Sequence, residues 1–245
     1  MNRLKHILAA GLIATAGTAF AADSGPDANI TNLLKSRLAG APVGDVKATP
    51  VDGIYQTTMA GKIAYLSGDG RYVLIGDMID LQTQVNLTEL SRRDVAEAAL
   101  KDADISNLIV FPADGDVKAV LNVFTDASCP YCKKLHEEVP ELQQAGIEVR
   151  YFPFARGGSQ GPGYDTMRRI WCGKDKLKAM NIAKGTEPGQ LPSGNCKEAA
   201  FVDEAYVLGN DVGVAGTPAL FTSSGRKIEG YVHYSKLIPM LLGGS

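Results

Sequence analysis

Two cysteines two residues apart, where a strand hands over to a helix, constrain this chain more than any other feature. The stretch is Cys129-Pro130-Tyr131-Cys132. The apolar run Ala119 to Phe124 and a short polar loop, Thr125 to Ser128, precede it, and Lys133 to Val139 reads as a helix. A helix start offers free backbone N–H groups and the positive end of the helix dipole, and both stabilise a thiolate there. Cys129 sits at that start and is the expected nucleophile. Cys132 lies one turn in, covered by that turn but able to reach the Cys129 sulfur, so it can resolve a mixed disulfide. Pro130 and Tyr131 set the geometry of the ring and the surface that a substrate meets.

Two blander readings compete with redox chemistry. A structural zinc site needs four ligands, usually two such pairs or a pair with two histidines. Cys172 and Cys196 are 24 residues apart, and His6, His136 and His233 form no ligand pair. No metal and no cofactor are therefore expected. A static disulfide is the other reading, but a Cys-x-x-Cys ring at a helix start is usually redox-active. Four cysteines allow three pairings in principle. The short spacing favours Cys129 with Cys132 and leaves Cys172 for Cys196 as a structural disulfide.

The compartment supports disulfides. Arg3, Lys5 and His6 open the chain, Ile7 to Ala19 is apolar and small, and Ala19-Phe20-Ala21 has the small residues of a cleavage site. Residues 1–21 therefore read as a signal peptide, which exports the chain to a space where disulfides persist. Its removal takes two positive charges and no negative ones from a formal net charge of −2. A nucleic-acid binder would need a basic patch, so that class is set aside. Beyond residue 21 no stretch is apolar for long enough to span a bilayer.

The order of elements divides the remainder. Ile30, Leu33, Leu34 and Leu38 form one apolar face of a helix that opens near Pro26 and stops at Gly40 and Pro42. Val46–Thr49, Ile54–Met59, Ile63–Leu66 and Tyr72–Ile75 read as strands, with a glycine-rich hairpin turn at Ser67 to Arg71 and one further strand at Ile79–Val85. This section, residues 22–86, carries no cysteine or histidine. A small sheet with one helix buries little core, so it would gain from pairing with a second copy. Thr88 to Asp102 is a thin, alanine-rich helix capped by Asn86 or Thr88, which suits a connector over residues 87–104.

From Ile105 to the end, strands and helices alternate. Leu108–Phe111, Val117–Phe124 and Ile147–Phe154 read as strands. The helix after Cys129 lies between the second and third of these, which suggests a parallel crossover, and Pro140 should kink or shorten it. Helical pieces follow at Tyr164–Cys172 and Lys174–Ile182, then a helix from Glu198 that Gly209 and Asn210 end. A strand after Pro218 pairs through Ser224-Gly225 with Lys227–Val232, and Tyr234–Leu242 is a closing helix. Asp126 and Ser128 are candidate caps for the Cys129 helix. His136 reads as a surface or hydrogen-bonded histidine, and His233 has no evident partner. On sequence statistics alone the Thr217–Pro218 bond would be trans.

Cys129-Pro130-Tyr131-Cys132 after a buried strand, with Gly216-Thr217-Pro218 far downstream, resembles the thioredoxin superfamily. Val123-Phe124-Thr125-Asp126 before the motif, Lys134-Leu135-His136 after it, and the pair Cys172/Cys196 look like the DsbC family of periplasmic disulfide isomerases. The order of parts is similar as well. The resemblance implies an α/β, thioredoxin-like domain with a helical insertion over residues 105–245, preceded by a small α+β dimerisation domain and a linker helix. It implies that Thr217–Pro218 is cis, faces the cysteine pair and, with Tyr131, meets the substrate. It further implies a V-shaped periplasmic homodimer whose uncharged cleft binds unfolded chains. Where that family usually carries Gly, this chain has Pro130, which looks like the related DsbG branch; the pair Cys172/Cys196 points to the DsbC side.

Three functions follow from this. The first is isomerisation or reduction of wrong disulfides in exported proteins, with chaperone capacity and with electrons from a membrane reductase of the DsbD type. The second is a DsbG-like reductase that protects single cysteines from over-oxidation. The third is a mainly chaperone-like binding module. The residues favour the first. No buried acid that would deprotonate Cys132 is identifiable from the sequence.

Overall fold

The computed structural model describes residues 28–37 and 43–243. The expected signal peptide, and the ends of the first helix at Pro26, Gly40 and Pro42, lie outside the described residues. Among the described residues no helix is long and apolar enough to cross a membrane.

The first section is an antiparallel sheet with a helix on it. Helix α1 (Ala28–Arg37) is followed by β1 (Lys47–Ala48), β2 (Ile54–Met59), β3 (Lys62–Ser67) and β4 (Val73–Ile75), ordered β1-β2-β3-β4. Four successive residues of β3, Ile63 to Leu66, are buried, so both faces of this strand are covered. Leu34 of α1 packs with Val46 and Leu66 on one face. On the other, the Tyr65 hydroxyl meets Thr88. The single strand expected at Ile79–Val85 is instead a small hairpin of β5 (Ile79–Asp80) and β6 (Val85–Asn86). Asp80 Oδ1 accepts from the N–H groups of Gln82 and Thr83 and folds the chain back, with Gln84 in the left-handed region (φ 60°).

Helix α2 (Leu87–Asp102) is capped by Asn86, whose Oδ1 accepts from Glu89 N at 3.0 Å. Thr88, the other candidate cap, is buried and accepts from Met78 N instead. Most of α2 is open to solvent, but Ala96 and Leu100 are buried in a cluster with Phe124, Phe152 and Phe221. The helix is therefore fastened to the second sheet through its C-terminal half.

That sheet contains β7 (Ile109–Phe111), β8 (Ala119–Thr125), β9 (Ile147–Pro153), β10 (Ala219–Thr222) and β11 (Lys227–Ile228), ordered β11-β10-β8-β9-β7. The central strands β8 and β9 run parallel, in register from Ala119 opposite Ile147 to Thr125 opposite Pro153. The crossover between them is α3 (Pro130–Glu137) and α4 (Val139–Gln144). The two helices part at Glu138 because Pro140 has no N–H to continue the ladder. Alternate residues of β8 and β9 serve opposite faces. Leu121, Val123, Val149 and Tyr151 pack with Leu135, Met167 and Trp171, while Phe124 and Phe152 stack on the face that takes α2.

Between β9 and β10 lie α5 (Tyr164–Trp171), α6 (Lys176–Lys184) and α7 (Phe201–Asp211). Helix α7 does not end at Gly209 and Asn210. It runs to Asp211, and Gly213 (φ 78°) turns the chain out of it. Gly209 is inside the helix because Phe154 packs against it: a Cβ there would lie 2.5 Å from Phe154 Cδ2. Strand β11 is shorter than expected, since the chain turns at Gly230 (φ 67°). Helix α8 (Tyr234–Leu242) closes the chain, with His233 as its cap.

Candidate active site

Strand β8 delivers its chain to the edge of the core at Thr125, and α3 begins five residues later, at Pro130. Neither Asp126 nor Ser128 caps that helix. Cys129 is itself the N-cap, and its Sγ accepts from Cys132 N at 3.4 Å. Pro130 follows at the first helical position, where no N–H is needed. Asp126 and Ser128 form the preceding turn: Asp126 Oδ1 accepts from Ser128 N at 2.7 Å, and Asp126 O accepts from Cys129 N at 3.2 Å. Both motif cysteines are free thiols and almost fully buried.

The Thr217–Pro218 bond is cis and delivers the Thr217 carbonyl to the same place: Cys129 Sγ donates to Thr217 O at 3.2 Å. The chain just before β10 thus lies against the start of α3, 88 residues away in sequence.

The two thiols are driven apart in acidity. A hydrogen bond from Cys132 is the largest effect on Cys129; burial opposes it, and the Thr217 side chain and the α3 N–H groups add to it, leaving the Cys129 pKa at about 5. Burial, above all, pushes Cys132 far in the other direction, and its hydrogen bond to Cys129 adds to the rise. At neutral pH the arrangement holds one thiolate at the helix start and one protonated thiol beneath it. That is the charge distribution a nucleophile with a resolving partner requires.

Three charged residues surround the pair. The Asp126 carboxylate is completely buried. Burial alone would raise its pKa, but hydrogen bonds from Arg156 N, Ser128 and the Arg156 guanidinium outweigh it and hold it ionised. Arg156 Nε meets Asp126 Oδ2 at 3.0 Å, with the guanidinium partly in solvent. Lys184, the last residue of α6, is 1% exposed and its Nζ donates to Asp126 O at 2.7 Å. Nothing in the sequence marks Lys184: a lysine in the last turn of a helix is ordinarily a solvated partner for the dipole. Arg156 was equally silent, and Asp126 was legible only as a cap.

The surface beside the pair is aromatic. Tyr131 is 59% exposed and stacks on Tyr231 with ring centroids 6.0 Å apart. The Tyr231 hydroxyl donates to Glu138, and Lys134 Nζ lies 4.9 Å from the ring centroid. Burial and then the Glu138 carboxylate push that hydroxyl up to about 12. His136 is buried, as a histidine with both nitrogens engaged, by Tyr151 Oη at 3.2 Å and Thr186 Oγ1 at 3.3 Å. Burial and the Lys184 cation lower its pKa to about 4, so it stays neutral.

Cys172 and Cys196 are bonded to each other and take no part in the hydrogen bonding of the Cys129–Cys132 pair. Their bridge ties the end of α5 to the chain entering α7. Arg169 reinforces it by donating to Pro192 O and Leu191 O at 2.8 and 2.9 Å. The structure thus gathers Cys129, Cys132, Tyr131, Thr217 and Pro218 at one place and leaves Cys172 and Cys196 as a separate bridge.

A five-stranded sheet, a Cys-x-x-Cys pair at the start of its crossover helix and a cis proline facing it define a thiol–disulfide oxidoreductase of the thioredoxin class. Residues 107–242 match the family described as "Thioredoxin-like domain", and residues 21–89 match "Disulfide bond isomerase protein N-terminal domain". The chain belongs to the DsbC family of thiol:disulfide interchange proteins. It is 34% identical over 243 residues to the "Thiol:disulfide interchange protein DsbC" of Haemophilus influenzae, covering 97% of this chain and 98% of that one. It is 35% identical over 216 residues to the protein of that name in Pasteurella multocida, covering 86% and 88%. To the Escherichia coli K12 protein it is 32% identical over 194 residues, covering 78% of each.

Proposed function

We propose that this oxidoreductase isomerises or reduces wrong disulfides in exported proteins, starting from a reduced Cys129–Cys132 pair. The observation that carries this is the Cys129 sulfur at the start of α3, where it accepts from Cys132 N and has a pKa lowered to about 5, with a protonated Cys132 behind it. The Cys129 thiolate attacks one sulfur of a client disulfide. A bond forms between Cys129 Sγ and that sulfur, the client S–S bond breaks, and the other client sulfur leaves as a thiolate. A client thiolate can then displace Cys129, which is isomerisation with no net electron transfer. Cys132 can displace the client instead, which reduces it by two electrons and leaves Cys129–Cys132 oxidised. Thr217, Pro218 and Tyr131 meet the client chain, and Cys172–Cys196 is structural.

The organisation proposed is a signal peptide over 1–21, a dimerisation domain over 22–86, a connecting helix over 87–104 and a catalytic domain over 105–245. The place of action is the periplasm, where disulfides persist. A pair that must stay reduced there needs an electron donor, assigned to a membrane reductase of the DsbD type. The edge strand β4 supports a homodimer: among the described residues it pairs with β3 alone, and Val73, Leu74 and Ile75 are all exposed on it. Chaperone activity belongs to the cleft between two such copies. The test is refolding of scrambled ribonuclease. Cys129→Ser abolishes isomerisation; full activity in that variant refutes the reading.

A further inference from the structure

Lys184 has no part in the exchange steps above, yet its position is costly. A fully buried lysine is ordinarily paired with a carboxylate. Here the bonded oxygen is the backbone carbonyl of Asp126. The Asp126 carboxylate is engaged elsewhere, its Oδ1 by Ser128 and its Oδ2 by Arg156. The same residue contacts both cysteines: Asp126 O also accepts from the backbone N–H of Cys129 at 3.2 Å, and the Asp126 backbone N–H serves the Cys132 sulfur. Lys184, Cys129 and Cys132, all three buried, therefore converge on one residue.

We propose that Lys184 is a positioning residue for the resolving step: its buried ammonium stabilises the Cys132 thiolate as that sulfur attacks Cys129. This rests on the exchange chemistry proposed above and names the group that governs one of its two branches. In that step Cys132 Sγ gives up its proton and forms a bond to Cys129 Sγ. The bond from Cys129 to the client sulfur breaks, and the client sulfur leaves with the electron pair and takes up one proton. The client is reduced and the cysteine pair oxidised.

Cys132 is 1% exposed, so its thiolate forms in a site from which water is excluded. In the free reduced enzyme Cys129 further opposes that ionisation. In the mixed disulfide Cys129 carries no charge, and this opposition is gone. The groups that then face Cys132 are Lys184 from α6, Asp126 from the loop after β8, Arg156 from the loop after β9 and Tyr151 from β9, while His136 on α3 faces Lys184. His136 and Tyr151 are neutral, and Arg156 is paired with Asp126 and partly in solvent. Lys184 is the buried cation that remains. It sets how readily the enzyme closes its own ring instead of waiting for a client thiol.

The test uses full-length protein with Cys129→Ala, in which Cys132 is the single free thiol. The rate of its alkylation by iodoacetamide is followed against pH. Lys184→Gln removes the charge and keeps a donor for Asp126 O; Lys184→Met removes both. In each variant the Cys132 midpoint rises by about one unit, a roughly tenfold slower reaction at fixed pH below the midpoint. With Cys129 restored, reduction of insulin falls by a similar factor in Lys184→Gln, while isomerisation of scrambled ribonuclease holds. If Lys184→Gln leaves the midpoint of Cys132 unchanged, the proposal is overturned, whatever Lys184→Met does to folding. Alkylation of Cys132 needs no isomerase activity, so this result stands apart from the ribonuclease test.

Discussion

Alkylation of Cys129 across the pH range reads the electrostatics of the α3 start directly. The hydrogen bond from Cys132 and the groups around it bring the Cys129 pKa from 9.0 to about 5. At pH 5 about half of Cys129 is thiolate, against roughly one part in ten thousand of an unperturbed thiol. A less basic thiolate is also a weaker nucleophile: with a Brønsted slope of about 0.45, four units of basicity cost roughly sixtyfold in intrinsic rate. The two effects leave Cys129 about eightyfold faster than an unperturbed thiol at pH 5 and less than about twofold faster at pH 7. The shape of the profile carries the information, and the neutral rate carries almost none. Cys132→Ala removes the largest stabilising contact and moves the midpoint up by roughly one to two units. The assay is initial rates with iodoacetamide on fully reduced protein. A midpoint near 9, or one that Cys132→Ala leaves in place, would show that Cys132 and the α3 start do not stabilise the Cys129 thiolate.

Three further outcomes follow from the same geometry. The Cys129 pKa is depressed in the folded state, so its stabilisation of the reduced protein is complete above about 9 and drains away as pH falls toward 5. Oxidised protein lacks this contribution, and melting temperatures of the two forms, compared between those pH values, should shift in favour of the reduced form as pH rises. Gly209→Ala gains helix propensity but forces a Cβ to 2.5 Å from Phe154, which is buried between Phe124 and Tyr206 and cannot swing away. Overpacking wins, and urea unfolding should show a loss of about 1–2 kcal/mol. Replacing Cys172 and Cys196 together by Ala opens a loop with a sequence separation of 24 and should cost about 3–4 kcal/mol in the same assay, with the Cys129 pH profile unmoved.

The elements legible in the sequence were those where one local rule governs. Helix α8 spans Tyr234–Leu242 as expected, though its cap, His233, is read only from the structure, and the β8–α3–β9 crossover follows from two apolar runs around the Cys129 helix. Glu138 breaks that helix because Pro140 must. Misreadings arose where a distant contact overrode the local rule. Gly209 looked like a helix stop because its partner, Phe154, is 55 residues earlier in the chain. Asp126 looked like a cap for α3, but Arg156 and Ser128 claim its carboxylate and Cys129 takes the cap itself. Lys184 was invisible for the same reason. Nothing within α6 distinguishes a lysine pointing at water from one reaching the carbonyl beside the reactive pair.

In the proposed function Cys129 and Cys132 work from the reduced state in an oxidising compartment. Acid-quenching cells and trapping free thiols with a maleimide measures that state directly. The pair is expected to be mostly reduced while Cys172–Cys196 stays oxidised. A pair found mostly as the Cys129–Cys132 disulfide would contradict it and make the protein a donor of disulfides instead.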